Sequence, residues 1–178
     1  VPPVLASAPT IAGVVSQPSA LSVTFTPGDN GGATVTEYQY SIDGGTTWQS
    51  TGSLSGQFVI GGLTDGTSYE VRVRTVTSVG DGASSTPAFG TPASPPAPPT
   101  QTSVQRGNGE LTVALTAGSN GGSAITDYEY TIDGGTTWVS TGQATGPVTI
   151  SGLNNGQSYT VQMRAINAVG TSGGSNQL

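Results

Sequence analysis

The sequence contains no cysteine, histidine or lysine, and its only cationic side chains are four arginines. Without histidine or cysteine there is no Ser–His or Cys–His nucleophile and no common zinc site, and without lysine there is no Schiff base. Ten acidic residues give a net charge of −6. Binding to nucleic acid or to an anionic membrane needs clustered positive charge, so neither partner is expected.

Long apolar runs are also missing, and no segment approaches the roughly 20 residues that cross a bilayer. Only 33% of the 178 residues are hydrophobic, whereas 28 are glycine and 12 are proline. This composition disfavours a single large core and is typical of short strands joined by turns. We expect no catalytic residue, no cofactor and no metal site.

An internal repeat organises the chain. A shift of 90 residues places Tyr38–Trp48 on Tyr128–Trp138 without a gap, and the register extends from residues 7–88 to 97–178. Closely spaced prolines between the copies favour a semi-rigid polyproline II spacer. The predicted domains are a linker-like start at 1–8, a first domain at 9–92, a Pro-rich linker at 93–98 and a second domain at 99–178.

Hydrophobic residues in each copy recur with a period of two. Leu21, Val23 and Phe25 alternate with polar residues, and Tyr38 and Tyr40 do the same. This alternation predicts strands that each bury one face, and no segment keeps helical spacing. About seven short strands in roughly 90 residues favour an all-β, two-sheet sandwich in each copy.

These strand patterns, with Asn30-Gly31-Gly32 after the first of them, resemble the fibronectin type III family over nearly the whole chain, twice. The resemblance implies two tandem immunoglobulin-like β-sandwiches joined by the Pro-rich linker. Leu63…Tyr69 and Leu153…Tyr159 are similar to a tyrosine corner, in which the phenol hydroxyl bonds upstream backbone.

A second resemblance concerns the hairpin that ends in tryptophan. Ser41-x-Asp43-x-Gly45-x-Thr47-Trp48, and its counterpart ending at Trp138, are similar to the Asp-box of sialidase-like propellers. The resemblance implies a structural hairpin and no sialidase activity, because that activity needs an Arg cluster and a propeller. Asp43 and Asp133 are expected to cap the turn, since one carboxylate per loop falls far short of a calcium site.

Trp48 and Trp138 are the two candidate ligand-stacking residues, with packing on the sheet as the alternative. Asp127 and Glu129 lie two apart on a strand, as a glycosidase pair could, but the first copy has Glu37 and Gln39 there. We expect them on the solvent face instead, paired across strands with arginines.

The Arg pairs expected are Glu37 with Arg72 or Arg74, and Arg164 with Asp127 or Glu129. Arg106-Gly107-Asn108-Gly109 lacks the acid of an Arg-Gly-Asp tripeptide and predicts a turn. In the first copy, residues 84–91 predict a final strand with Phe89 as an apolar contact. The second copy stops at Leu178, so part of its sheet edge is expected to be unpaired.

The leading functional hypothesis is a non-catalytic spacer or adhesive module pair of a larger, secreted or surface protein, of the kind found in bacteria. Its partners would then be neighbouring domains. Two alternatives stay open. One is a carbohydrate- or cell-wall-binding module that uses the tryptophans, or a module that binds a cell-surface protein. The other is a subunit of a filament or virion that self-associates by strand addition at the open edge.

Overall fold

The computed structural model describes residues 2–178, which divide after Ala93 into two compact units. Each described element is a β-strand, and the described residues contain no helix. The prediction of an all-β chain with one β-sandwich in each repeat is confirmed.

The first unit has two antiparallel sheets. Its strands are β1 (Thr10–Gln17), β2 (Ala20–Thr26), β3 (Val35–Ser41), β4 (Gln49–Ser50), β5 (Gln57–Gly61), β6 (Tyr69–Thr77), β7 (Gly80–Ser84) and β8 (Ala88–Gly90). One sheet has the order β1-β2-β5, and the other has the order β4-β3-β6-β7, with β8 also pairing β6.

The second unit repeats this plan with fewer strands. They are β9 (Thr100–Arg106), β10 (Glu110–Thr116), β11 (Ile125–Thr131), β12 (Val139–Ser140), β13 (Val148–Ser151) and β14 (Gln162–Asn167). The sheets have the orders β13-β10-β9 and β12-β11-β14. Among the described residues no regular strand follows β14, but the segment after it still pairs with β14 as β7 pairs with β6. Ser172 N donates to Ala165 O and Ser175 N donates to Met163 O, both at 2.8 Å.

The inward-facing residues of both sheets form one core per unit, as the period-two pattern predicts. The first core contains Leu21, Val23, Phe25, Tyr38, Phe58, Ile60, Leu63, Val71 and Val73. The second contains Val113, Tyr128, Val148, Ile150, Val161, Met163 and Ala165. In the first core the Phe25 ring meets Tyr38 edge-on, with ring centroids 4.9 Å apart, a favourable aromatic geometry.

The segment that precedes each sandwich hydrogen-bonds to it. Ser94 N donates to Gly121 O and Ala97 N donates to Ser119 O, both at 2.8 Å. Gly121 has φ +66°, and a Cβ there would lie 2.2 Å from Ser94 O, so only glycine permits this close approach. Residues 94–97 are therefore held against the second unit. The domain boundaries drawn from the sequence stay a prediction.

The end of the first repeat differs from expectation in one respect. The predicted final strand at 84–91 is divided into β7 and β8, and Phe89 is 64% exposed, so its role as an apolar contact is wrong. The alternation along β8 instead turns Gly90 inward, against Val14 and Leu21. The sequence pattern around a three-residue strand is too short to fix which face is buried.

Candidate functional site

The hairpin after β3 is organised by the Asp43 carboxylate. Asp43 Oδ1 accepts hydrogen bonds from Thr46 N at 3.0 Å and Thr47 N at 2.9 Å, and its Oδ2 accepts from Thr47 Oγ1 at 2.6 Å. Ser41 Oγ donates to Asp43 Oδ1 and accepts from Gly45 N. The carboxylate thus binds amide and hydroxyl donors that the turn would otherwise leave to solvent.

The second repeat builds the same hairpin after β11. Asp133 accepts from Thr136 N and Thr137 N, both at 3.0 Å, and from the hydroxyls of Thr131 and Thr137. Hydrogen bonds to the charged form, with that of the Thr47 hydroxyl the largest, hold the pKa of Asp43 far below 3.8. The pKa of Asp133 is lowered in the same way, chiefly by the Thr131 and Thr137 hydroxyls.

Trp48 and Trp138, the two candidate stacking residues, close these hairpins and are partly buried. The indole N–H of Trp48 donates to Gly45 O at 3.0 Å. The guanidinium carbon of Arg74 lies 4.4 Å from the Trp48 ring centroid, and that of Arg164 lies 4.3 Å from the Trp138 ring centroid. In each repeat one face of the indole is therefore covered by an arginine in a cation–π contact.

The arginines that cover the tryptophans are held from a neighbouring strand. Arg164 Nε donates to Glu129 Oε2 at 2.6 Å, which confirms one of the two pairs expected for this residue. Arg74 donates to Gln39 Oε1 and forms an ion pair with Asp81 at 2.8 Å. Each repeat thus aligns an indole, a guanidinium and an acceptor on one sheet face.

The expected pairing of Glu37 with an arginine is wrong. Glu37 Oε1 accepts from the amide of Gln39, its neighbour two residues along β3. Arg72 in turn pairs with Glu70 of its own strand at 2.7 Å. Residues i and i+2 share a strand face, so these short-range partners compete with the cross-strand ones that pattern reasoning favours.

Asp127 and Glu129 have separate structural partners. The Asp127 carboxylate accepts from Ser140 Oγ, and also from Thr141 Oγ1 and Gln143 N at 3.2 Å each, in the loop beyond β12. Glu129 pairs with Arg164. The described residues contain no cluster of three or more acidic side chains placed to hold a metal ion.

Two predicted structural features are confirmed in the loops. Thr64 N and Asn154 N donate to the hydroxyls of Tyr69 and Tyr159, both at 3.0 Å, which is the tyrosine-corner contact. Residues 107–109 form the turn between β9 and β10, closed by a bond from Gly107 N to Glu110 O.

Sequence reasoning missed a polar link at the end of the second unit. The Asn176 side chain accepts from Gln101 N at 2.8 Å and donates to Gln101 O at 3.2 Å. The Gln101 side-chain amide donates to Val161 O at 2.8 Å. The signal available was the replacement of Ile11 in the first repeat by Gln101 in the second, a polar residue at a core position.

Comparison with protein-family models identifies the class. The fibronectin type III domain model matches residues 7–91 and 97–178. The chain belongs to the fibronectin type III family, with two tandem domains. Domains of this family are commonly non-catalytic structural or adhesive modules, and they are typically extracellular.

No curated protein matches the chain. Among solved structures, the chicken CNTN1 FN1–FN3 domains align with 99% of this chain at 17% identity and a TM-score of 0.42. The chain spans 65% of that structure's length. Within residues 2–178, no helix is long and apolar enough to cross a membrane.

Proposed function

We propose that this chain is a non-catalytic structural spacer, a pair of modules that separates other domains of a secreted or cell-surface protein of bacterial type. Membership of the fibronectin type III family is the observation that carries the proposal. The charged side chains that could act in catalysis or metal binding also support it, because each is bound to another group of its own module. Asp43 binds its own turn, Arg164 pairs with Glu129, and Asp127 binds a hairpin loop.

A spacer needs modules that keep their fold while other domains are displayed. The low content of charged residues, 8%, suits this role because it limits nonspecific electrostatic contacts. The Arg–Trp stacks support it as well. In each stack an arginine and a tryptophan that could otherwise contact a partner protein or ligand bind each other instead.

Surface display tests the spacer role. The 178-residue chain is inserted between a yeast-surface anchor and a reporter domain, and the binding of a large antibody to the reporter is measured. We expect access to increase relative to a direct fusion, and to be the same for the wild-type chain and for the double variant Trp48→Ala, Trp138→Ala. No gain in access relative to the direct fusion would refute the spacer role.

The ligand-stacking role of Trp48 and Trp138 stays a prediction with its own test. One indole face is covered by arginine, so a sugar would have to use the other face. Saturable binding of the wild-type chain to a glycan array, lost in the double alanine variant, would support a carbohydrate-binding module instead. Absence of binding to any polysaccharide would eliminate it.

A further inference from the structure

The strand β5 forms an edge of its sheet that no other described strand covers. The order β1-β2-β5 places β2 on one side of β5, and the strands on either side of β5 in sequence, β4 and β6, both belong to the other sheet. Gly56 O accepts from Phe25 N of β2. Alternate residues of an antiparallel strand direct their backbone groups to the same neighbour, so those of Gln57, Val59 and Gly61 are directed away from β2.

Exposed apolar side chains accompany this edge. Val59 is 57% exposed at the centre of β5, and Val15 is 61% exposed on β1. Ser22 of β2 pairs with both residues, so Val15, Ser22 and Val59 form one row, here called the valine row, on the outer face of the sheet. Leu54, in the loop that leads into β5, is 63% exposed. The edge therefore combines apolar side chains with backbone groups that are free to pair.

The second repeat carries polar, smaller or proline residues at the equivalent positions. In the order of the chain, the counterparts of Val15, Leu54, Gln57 and Val59 are Gln105, Ala144, Pro147 and Thr149. A proline on an edge strand offers no N–H to a further strand, and proteins use such prolines to prevent edge-to-edge pairing. The edge at β13 is thus guarded, whereas the edge at β5 is not.

Charge does not oppose contact between two copies of the β5 edge. The chain has a net charge of −6, but neither the strands β1, β2 and β5 nor residues 53–64 contain a charged side chain. In the second unit, by contrast, β9 ends at Arg106 and β10 begins at Glu110. Charged residues are another common guard of sheet edges. An uncharged edge meets a copy of itself without like-charge repulsion and offers no attraction to a charged partner.

We propose that β5 pairs with β5 of a second copy of this chain, antiparallel, about a two-fold axis at Val59. Val59 of each copy then exchanges N–H···O=C bonds with Val59 of the other, and Gln57 does the same with Gly61. The Gln57 carbonyl accepts from Ser55 Oγ at 2.9 Å, and its second lone pair serves this bond. A two-fold contact uses the same surface on both copies, and here it brings the two valine rows together at the axis. This inference goes beyond the spacer role and does not depend on it.

Sedimentation velocity and light scattering on the intact 178-residue chain test the proposal. Between micromolar and millimolar concentration, we expect the average mass to rise from 17.6 kDa towards twice that value and to stop there, because the β5 edge is used up in the dimer. A chain that stays monomeric at millimolar concentration would refute a second copy as the occupant of this edge. Growth into larger assemblies would contradict the closed two-fold contact.

Matched lysine variants identify the edge that is used. Val59→Lys and Thr149→Lys place the same charge at equivalent positions, and the exposure of Val59 lets a lysine point into solvent without entering the core. We expect the dimer dissociation constant to rise at least tenfold for Val59→Lys and to change less than twofold for Thr149→Lys. Unchanged urea midpoints of the first unit would show that Val59→Lys keeps its fold. Equal effects of the two lysines would place the contact elsewhere and overturn the proposal.

A proline variant tests the main-chain hydrogen bonds. Gln57→Pro copies Pro147 of the second repeat and removes an N–H that is directed away from β2, so the sandwich keeps its own ladder. We expect it to weaken the dimer at least tenfold. A dimer of unchanged affinity would contradict pairing through β5.

Amide hydrogen exchange locates the contact within the sheet. The amides of Phe58 and Ile60 face β2, whereas that of Val59 faces the open edge. As the concentration rises from mainly monomer to mainly dimer, we expect exchange at Val59 to slow at least tenfold, and exchange at Phe58 and Ile60 to change much less. Slowing confined to β4, β12 or β13 would assign the dimer to a different edge and refute the proposal.

Discussion

The contribution of β8 to the burial of the first core can be measured by making the same substitution at two equivalent positions, Leu21→Ala and Leu111→Ala. Leu21 is 0% exposed, and its δ carbons face Gly90 of β8, whereas Leu111 lies beside an open groove. Truncation of a fully buried leucine removes its transfer free energy and leaves a cavity, at a cost of about 3 kcal/mol. At Leu111 solvent already reaches the side chain, so we expect a loss of about 1.5 kcal/mol.

Each unit has its own tryptophan, so unfolding in urea can be followed separately. Trp48 alone reports the first unit in a Trp138→Phe background, and Trp138 alone reports the second in a Trp48→Phe background. With a urea dependence of about 1 kcal/mol/M for a domain of this size, the midpoint of the first unit should fall by about 3 M and that of the second by about 1.5 M.

The result that would refute this reasoning is an equal loss of stability at the two positions. Equal losses would mean that β8 contributes nothing to the burial of Leu21. A loss below about 1 kcal/mol for Leu21→Ala would likewise contradict the packing described for the first core.

Three other predictions concern the hairpins, a buried hydroxyl and the tyrosine corners. Folding lowers the pKa of Asp43 and Asp133, so their contribution to stability is complete above about pH 3.8 and decreases as the pH falls below that value. In the double variant Asp43→Asn, Asp133→Asn, the free energy of unfolding measured in urea should therefore depend less on pH between pH 2 and 4. Thr75→Val should raise the free energy of unfolding of the first unit by about 1 kcal/mol, measured in urea, because the buried Thr75 Oγ1 has no hydrogen-bond partner. Tyr69→Phe and Tyr159→Phe should each lower the melting temperature of their own unit, at a cost of about 1 kcal/mol.

Each of these predictions has an outcome that contradicts it. The turn-capping role fails if the double Asn variant keeps the wild-type slope of stability against pH. Destabilisation by Thr75→Val would mean that the hydroxyl is bonded in solution, and Thr75→Ala, which copies Ala165 of the second repeat, serves as the control. For the tyrosines, unchanged melting temperatures would show that the corner bond contributes nothing net.

Much of the fold was predictable because local and global signals agree. Alternation along Leu21, Val23 and Phe25 identifies both the strand and its buried face, and the 90-residue repeat doubles each signal. The tyrosine corner was equally accessible, since the spacing of Leu63 and Tyr69 is fixed by the crossover between sheets.

Side-chain partners were less predictable. Sequence places Glu37 and Arg74 on adjacent strands, but the register of β3 on β6 puts Gln39, and not Glu37, opposite Arg74. Phe89 was misassigned because a three-residue strand carries too few alternations to fix its inward face.

The groove of the second unit shows a different limit of sequence reasoning. That the last strand would be short followed from the alignment of Leu178 with Ala88. The groove beside Leu111 and the hydrogen bonds between Asn176 and Gln101 depend on side-chain geometry, which an alternating strand pattern does not specify.

Mechanical unfolding of single molecules tests the central claim, that the chain consists of two separately folded structural modules. The units contain 93 and 85 residues. At roughly 3.4 Å per extended residue, each should release about 30 nm of contour length, less its folded end-to-end distance. The account predicts two separate force peaks with these increments in each full trace. A single cooperative event of about twice that length, or extension without force peaks, would contradict it.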